Sequence, residues 1–414
     1  MREYSLSERC KITLNTETDK FVGIECTHGD FCVHFPVGYR LSNDEEGVRR
    51  DIRLLINTIA DTTRSKESVT PFQSKAFDRS GVPIQSFLYI IKDYYERGLY
   101  KEQDIKYVAS TFGKIDWSRT IKTQRPYIQD GEAYYLKFVT KKTTMNEDEL
   151  LTQIHQYCLF ASFKAVGWIF TDYMPREPHI KYNEKLFVSV LKNKLLHTFN
   201  DRKRLLFWHM LAVIQDVYDK ETLNNFSYGV NRFEYVWEKL VDNVFGDKNK
   251  KFYFPATYWT LANQKTYDNP KLEPDTIMLL DDDVYVLDAK YYKYGETKRA
   301  ADLPESTSIN KQITYGEYVA TGEKFRDKHG NDFAVYNAFV MPFNNEKWSE
   351  QSDMRWIGTA RGEWKGKEVY TQIQGVLVDT KTLMEIGSQY SISMVNEIAT
   401  LIKSHIPSQN DGNE

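Results

Sequence analysis

The stretch EPDTIMLLDDDVYVLDAKYY, residues 273–292, constrains the fold of this chain more than any other. Two apolar runs, 276–280 and 284–290, flank three aspartates, the pattern of a β-hairpin around an acidic turn. A two-residue loop pairs Leu280 with Asp283. The same register carried outward sets Asp275 opposite Asp288, whereas a slip of one residue would make them diagonal neighbours. Directly opposed residues share a face, about 5 Å apart at Cβ. Lys290, two positions beyond Asp288, lies on that face as well. Three charged groups therefore converge at one end of an apolar hairpin, and Asp281, Asp282 and Asp283 are assigned to its turn.

Two carboxylates held that close repel one another unless a cation sits between them. Oxygen ligands of this kind suit Mg²⁺, with Mn²⁺ as a substitute, because Mg²⁺ binds through one or two carboxylates plus waters and a substrate phosphate. A lysine beside such an ion can orient the attacking water and balance charge on a pentavalent phosphorus, which is the chemistry of phosphodiester hydrolysis. A solvated surface hairpin explains the three turn aspartates equally well. It accounts poorly for Asp288, whose neighbours Val284, Tyr285, Val286, Leu287 and Ala289 are apolar or aromatic, since a buried charge without a partner is costly.

The 414 residues exceed the usual size of one domain, and a net charge of -3 does not announce a nucleic-acid binder. Residues 101–210 nevertheless hold 18 Lys/Arg against 12 Asp/Glu, an excess of six positive charges. Four cysteines make no disulfide framework and suit a reducing cytoplasm. The first twenty residues lack the apolar core of a signal peptide. The longest span candidate, CLFASFKAVGWIF, is short and carries Lys164, so the expectation is a cytoplasmic protein with no membrane segment.

Short β-prone runs fill the first forty residues. A helix follows at 47–63, with Val48, Ile52, Leu55, Ile56 and Ile59 on one face. The Asn146/Glu149 pair reads as the start of a helix running to about 170, and 184–222 reads as mostly helical. From about 225 the order is helix, strands, helix, strands, helix. The expected fold class is α/β, a C-terminal domain with a mixed sheet flanked by helices, preceded by an α+β N-terminal region. The expected division is 1–65, β-rich with a helix, for recognition or partner docking; 66–222, mostly helical and locally basic; and 223–414, the catalytic domain. Lys114, Arg119, Lys122 and Arg125, set among Trp117 and Tyr127, are candidate phosphate-backbone contacts, although a β-turn with a packed Trp reads equally well.

Pro274-Asp275, a twelve-residue gap and Asp288-Ala289-Lys290 resemble the PD-(D/E)xK nuclease signature. That resemblance implies a helix glutamate before the first metal-binding strand: Glu234, with Glu238 one turn later as its substitute. It also implies a polar residue facing the site from the following helix, matched by Lys311 and Gln312 in INKQITYGEY. More narrowly, GKIDWSRTI, FEYVWEKLVDNVFG, the 273–292 stretch and SINKQITYGEY resemble the LlaJI-type restriction endonuclease family, relatives of the McrC nuclease subunit. The resemblance implies Mg²⁺-dependent cleavage of double-stranded DNA in a restriction–modification system, with Asp275, Asp288 and Glu234 as metal ligands, Lys290 and Gln312 as further catalytic residues, and Lys311 toward DNA. An alternative is a subunit active only with a McrB-like nucleotide-hydrolysing partner, since no Gly-rich Lys-Ser/Thr loop is present. A non-catalytic DNA-binding scaffold is the reading from another class. Cutting both strands favours a homodimer or larger assembly. Finally, Cys26, His28, Cys32 and His34 would offer zinc two thiolates and two imidazoles. Their spacing departs from the usual zinc pattern, and buried strand cysteines explain them too.

Overall fold

The computed structural model describes residues 5–64, 77–79, 84–146, 150–216, 226–349 and 351–406, apart from Gly29. Two compact units divide the chain: residues 1–80 together with 227–414, and residues 81–226. The N-terminal strands, expected as a separate region 1–65, thus belong to the same unit as residues 273–292.

The first unit opens with strands β1 (Cys10–Ile12), β2 (Val22–Thr27) and β3 (Asp30–Phe35), then helix α1 (Glu45–Arg64) and strand β4 (Phe77–Arg79). Val48, Ile52, Leu55, Ile56 and Ile59 are all buried, the face that the helical spacing predicts. Each such side chain contributes about 1.5–3 kcal/mol by leaving water. Past β3 the chain is tied to the C-terminal part of the unit. The Val37 N–H donates to the Tyr291 hydroxyl at 2.7 Å, and Thr380 Oγ1 donates to the Val37 carbonyl at 2.9 Å. Gly38, at φ +73°, lies so close to the Phe343 backbone that a Cβ there would sit 2.7 Å from it.

The second unit contains α2 (Ile84–Arg97), β5 (Glu102–Ser110), β6 (Lys114–Ile115), α3 (Trp117–Thr123), β7 (Tyr127–Gln129), β8 (Glu132–Tyr134), β9 (Phe138–Asn146), α4 (Leu150–Val166), α5 (Glu184–His197) and α6 (Asp201–Asp216). It is less helical than expected. Strands β5, β9 and β6 form a three-stranded sheet, and β7 with β8 form a hairpin turned by Asp130 and Gly131, both at positive φ. The helix expected from Asn146/Glu149 begins by Leu150; Glu149 itself lies outside the described residues, as do 217–222 of the 184–222 stretch.

The chain returns to the first unit through β10 (Phe226–Val230), which joins β1, β2, β3 and β4 in the order β1-β3-β2-β10-β4. The N-terminal sheet is thus completed by a strand from beyond residue 225. There follow α7 (Glu234–Phe245), β11 (Tyr258–Thr260), β12 (Thr266–Asp268), β13 (Thr276–Leu280), β14 (Asp283–Ala289), α8 (Tyr294–Thr297), α9 (Ser306–Thr321), α10 (Glu323–His329), β15 (Val335–Phe343), β16 (Met354–Ala360), β17 (Ile373–Asp379), α11 (Thr380–Ile386) and α12 (Ile392–Ser404). The second five-stranded sheet runs β13-β14-β15-β17-β16. Its three inner strands are parallel and its two edge strands antiparallel, so it is mixed as expected. Ile277, Val284 and Val286 pack against Tyr315 and Val319 of α9 and Phe325 of α10. From α7, Trp237 is fully buried and its Nε1 donates to the Val340 carbonyl. The fold class is therefore α/β with a mixed sheet flanked by helices.

Candidate active site

The β13–β14 register pairs Leu280 with Asp283 and Thr276 with Leu287, as the two-residue loop requires. Asp281 takes φ +54° at the turn. Asp283 is not spent on the turn as expected: it opens β14, accepts the Ala334 N–H at 2.8 Å and pairs with Lys403 at 2.7 Å.

One step beyond Thr276–Leu287, the same register sets Asp275 against Asp288. Asp288 shares its strand face with Val284 and Val286, the face that α9 covers, and it is buried. Lys290 Nζ pairs with Asp288 Oδ2 at 2.7 Å. The strand is held by Lys290's own N–H, which donates to the Val340 carbonyl. Asp275 Oδ2 accepts the Ala289 N–H at 3.0 Å, so main chain and side chain both fix the pair. Lys250, whose role the sequence does not announce, donates from Nζ to the Asp275 carbonyl at 2.6 Å and pairs with Asp242 at 2.8 Å.

The electrostatics of the pair are those of two carboxylates that cannot both be charged unaided. Burial, then the charge and hydrogen bond of Asp288, then the charge of Glu238, push Asp275 up to about 8. The bond from Ala289 opposes this without cancelling it. A divalent cation relieves such a pair, and two carboxylates suffice for Mg²⁺ when waters and a phosphate complete its shell. The donor set fits the ion on that ground. Among the described residues no group of three His, Cys, Asp or Glu comes together that could hold a metal.

The helix glutamate that acts on Asp275 is Glu238. Glu234 is engaged instead by Arg232, Nε to Oε1 at 2.7 Å, and its charge bears on Tyr291. From α9, Lys311 and Gln312 part company because consecutive helix positions point about 100° apart. Gln312 is buried and donates from Nε2 to the Val286 carbonyl at 2.7 Å and to Asn337 Oδ1 at 3.2 Å, so it braces β14 and β15 rather than facing the carboxylates. Lys311 does face them. Burial works against its ammonium, yet Tyr315 and the charges of Asp288 and Asp275 outweigh it and raise the pKa. Tyr315, one turn beyond Lys311, is buried with its hydroxyl 3.4 Å from the Glu273 carbonyl; it went unnoticed in the sequence, although an i, i+4 step from Lys311 marks it.

Lys114, Arg119, Lys122 and Arg125 are exposed in the second unit. Asp116 caps α3 by accepting the Arg119 N–H at 3.0 Å, and the Arg119 guanidinium lies 3.7 Å over the Tyr107 ring. Trp117 meets Phe138 edge-on while staying half exposed, and it opens helix α3 rather than sitting in the β-turn that is the alternative reading. The zinc arrangement does not form. Cys32 pairs with Glu25 and Cys26 with Phe31, which sends the two thiols to opposite faces of the β2–β3 hairpin, and His34 pairs with Glu25. Among the described residues no helix is long and apolar enough to cross a membrane.

Comparison with known proteins sets this chain among the restriction endonucleases. The description of the LlaJI restriction endonuclease matches residues 21–357, and the chain belongs to that family. It is 28% identical over 269 residues to the Type II restriction enzyme BsuMI component YdjA of Bacillus subtilis (strain 168), covering 60% of this chain and 55% of that protein. The chain thus spans about half the length of this curated relative. A solved assembly of Thermococcus gammatolerans McrB AAA+ hexamers with bound McrC aligns with 93% of this chain and 83% of its own, at a TM-score of 0.35 and 14% identity. That likeness is too distant to bear on fold or function.

Proposed function

We propose that this chain is the nuclease of a restriction system, hydrolysing phosphodiester bonds of double-stranded DNA at a PD-(D/E)xK site that uses Mg²⁺ or Mn²⁺. The observation that carries this reading is the opposed pair of half-buried Asp275 and buried Asp288, with Lys290 on Asp288. Asp275 and Asp288 are the metal ligands, and Glu238 rather than Glu234 adds negative charge from α7. A bound divalent ion supplies Lewis-acid stabilisation of the phosphorus centre and a nucleophilic water at neutral pH. Lys290 orients the attacking water and stabilises the charge that grows on phosphate oxygen. Lys311 and Tyr315 bring a second cation and a hydroxyl to the same place. Water oxygen bonds to phosphorus as the P–O bond to the leaving strand breaks. Gln312 acts through β14, as a positioning residue. Lys114, Arg119, Lys122 and Arg125 supply sequence-independent contacts to the DNA backbone.

A second reading is that the chain works as one subunit of a larger enzyme, as its relative is a component of one, with a McrB-like NTPase as the proposed partner. Incubating the purified chain with plasmid and Mg²⁺, with and without the products of neighbouring genes and nucleotide, tests both. Cleavage is expected to vanish in Asp288→Ala and Lys290→Ala. Cleavage that survives either substitution removes the assignment of the site. Dependence on an added partner selects the second reading, in a homodimer or a larger assembly.

A further inference from the structure

Asp275 stands one residue before β13, outside the ladder whose last registered pair is Thr276–Leu287. Its carboxylate must nevertheless stay against Asp288, a neighbour that repels it when both are ionised. The side chain is tied by the Ala289 N–H, which Asp275 Oδ2 accepts at 3.0 Å. The main chain is tied by Lys250, whose Nζ donates to the Asp275 carbonyl at 2.6 Å.

Lys250 is itself anchored. It opens a short helical turn, Lys250–Tyr253, that follows α7. Before the turn, the Asp247 N–H donates to the Ile277 carbonyl at 2.7 Å. At its end, Tyr253 is fully buried in one cluster with Ile277 and Phe325. Lys250 Nζ also pairs with Asp242 at 2.8 Å, and the two side chains are only 26% and 22% exposed. Asp242 lies one turn beyond Glu238 on α7, so both carboxylates share the helix face that bears on Asp275.

Resting on the nuclease reading, we infer that Lys250, braced by Asp242, is a positioning residue: it holds the Asp275 main chain so that the carboxylate meets a divalent cation opposite Asp288. The ammonium is directed at the carbonyl of Asp275, and Asp242 already matches its charge. It therefore competes little with a cation between the two aspartates, while its short, charge-assisted hydrogen bond fixes the peptide. A metal ligand works only when held to within about 0.5 Å of its place. Removing a group that orients such a ligand typically costs about 10–100-fold in metal affinity.

Lys250→Met in the full chain keeps the aliphatic stem and removes the donor. Without metal, amide exchange followed by NMR should become about tenfold faster at Ala289, whose N–H is held by Asp275. It should stay within about twofold at Lys290, the next amide, which is held by the Val340 carbonyl instead. In calorimetry, Mn²⁺ affinity should fall about tenfold at unchanged stoichiometry. Asp242→Asn leaves the donor but loosens it, so it should move both readouts the same way and by less; it carries the test if Lys250→Met does not fold. Exchange at Ala289 that is unchanged, or that rises no more than at Lys290, overturns the inference and leaves Lys250 an ordinary tie. So does Mn²⁺ affinity within about twofold of the unaltered chain. An unaltered chain that binds no Mn²⁺ removes the metal reading instead, and Ala289 exchange still decides whether Lys250 holds Asp275.

Discussion

Asp275 faces Asp288 one step past the last registered pair of the β13–β14 hairpin, and its Oδ2 accepts the N–H of Ala289, the residue next to Asp288. The backbone holds two carboxyl groups together where Asp288 is buried and Asp275 half-buried. Either a proton or a cation must make up the difference.

Without divalent metal, the proton does. The folded carboxyl of Asp275 titrates at about 8, far above the roughly 3.9 of an unfolded aspartate. Between those values the folded chain binds more protons than the unfolded one, so this group's contribution to stability is complete below about pH 4 and is lost as pH rises through about 8. In EDTA, the denaturation midpoint of the unaltered chain relative to Asp275→Asn should therefore fall from about pH 5 to about pH 8. A relative midpoint that rises across this window contradicts the raised pKa.

The two glutamates of α7 should separate. Glu238→Gln removes a charge that acts on Asp275, so Asp275 titrates lower and divalent-metal affinity drops. Glu234→Gln breaks only a partly exposed pair with Arg232, worth about 0–1 kcal/mol, and leaves both unchanged. Carboxyl titration followed by NMR in each variant checks this, and equal shifts in both would refute it.

Neighbours on α9 should differ in kind. Gln312→Ala strips donors from the Val286 carbonyl and Asn337, costing about 1–3 kcal/mol of stability. Lys311→Ala should leave the melting temperature nearly unchanged and lower the cleavage rate. A Lys311→Ala chain that cuts at the normal rate would remove Lys311 from the site.

In the second unit, Lys114, Arg119, Lys122 and Arg125 are exposed. Replacing one with alanine should weaken binding to all sequences alike and reduce the slope of log K against log salt by about 0.9 for each phosphate no longer neutralised. A change in sequence preference would point to base contacts instead.

The β13–β14 hairpin was legible in the sequence because its register depends on loop length and a period of two, both local. The paired aspartates and Lys290 followed from that arithmetic. The choice between Glu234 and Glu238, and between Lys311 and Gln312, turns on how α7 and α9 are rotated against the sheet, which is fixed by the packing of Trp237, Tyr315 and Val319. The joining of the N-terminal strands to the unit of the β13–β14 hairpin rests on β10 pairing across two hundred residues, a pairing no local pattern encodes.

The most direct measurement is a calorimetric titration of Mn²⁺ into the metal-free chain near neutral pH. One ion per chain should bind, with proton release that matches displacement from Asp275, and Asp275→Asn or Asp288→Asn should abolish the binding while the fold is retained. Mn²⁺ binding that persists undiminished in Asp288→Asn would contradict the paired carboxylates as the metal centre.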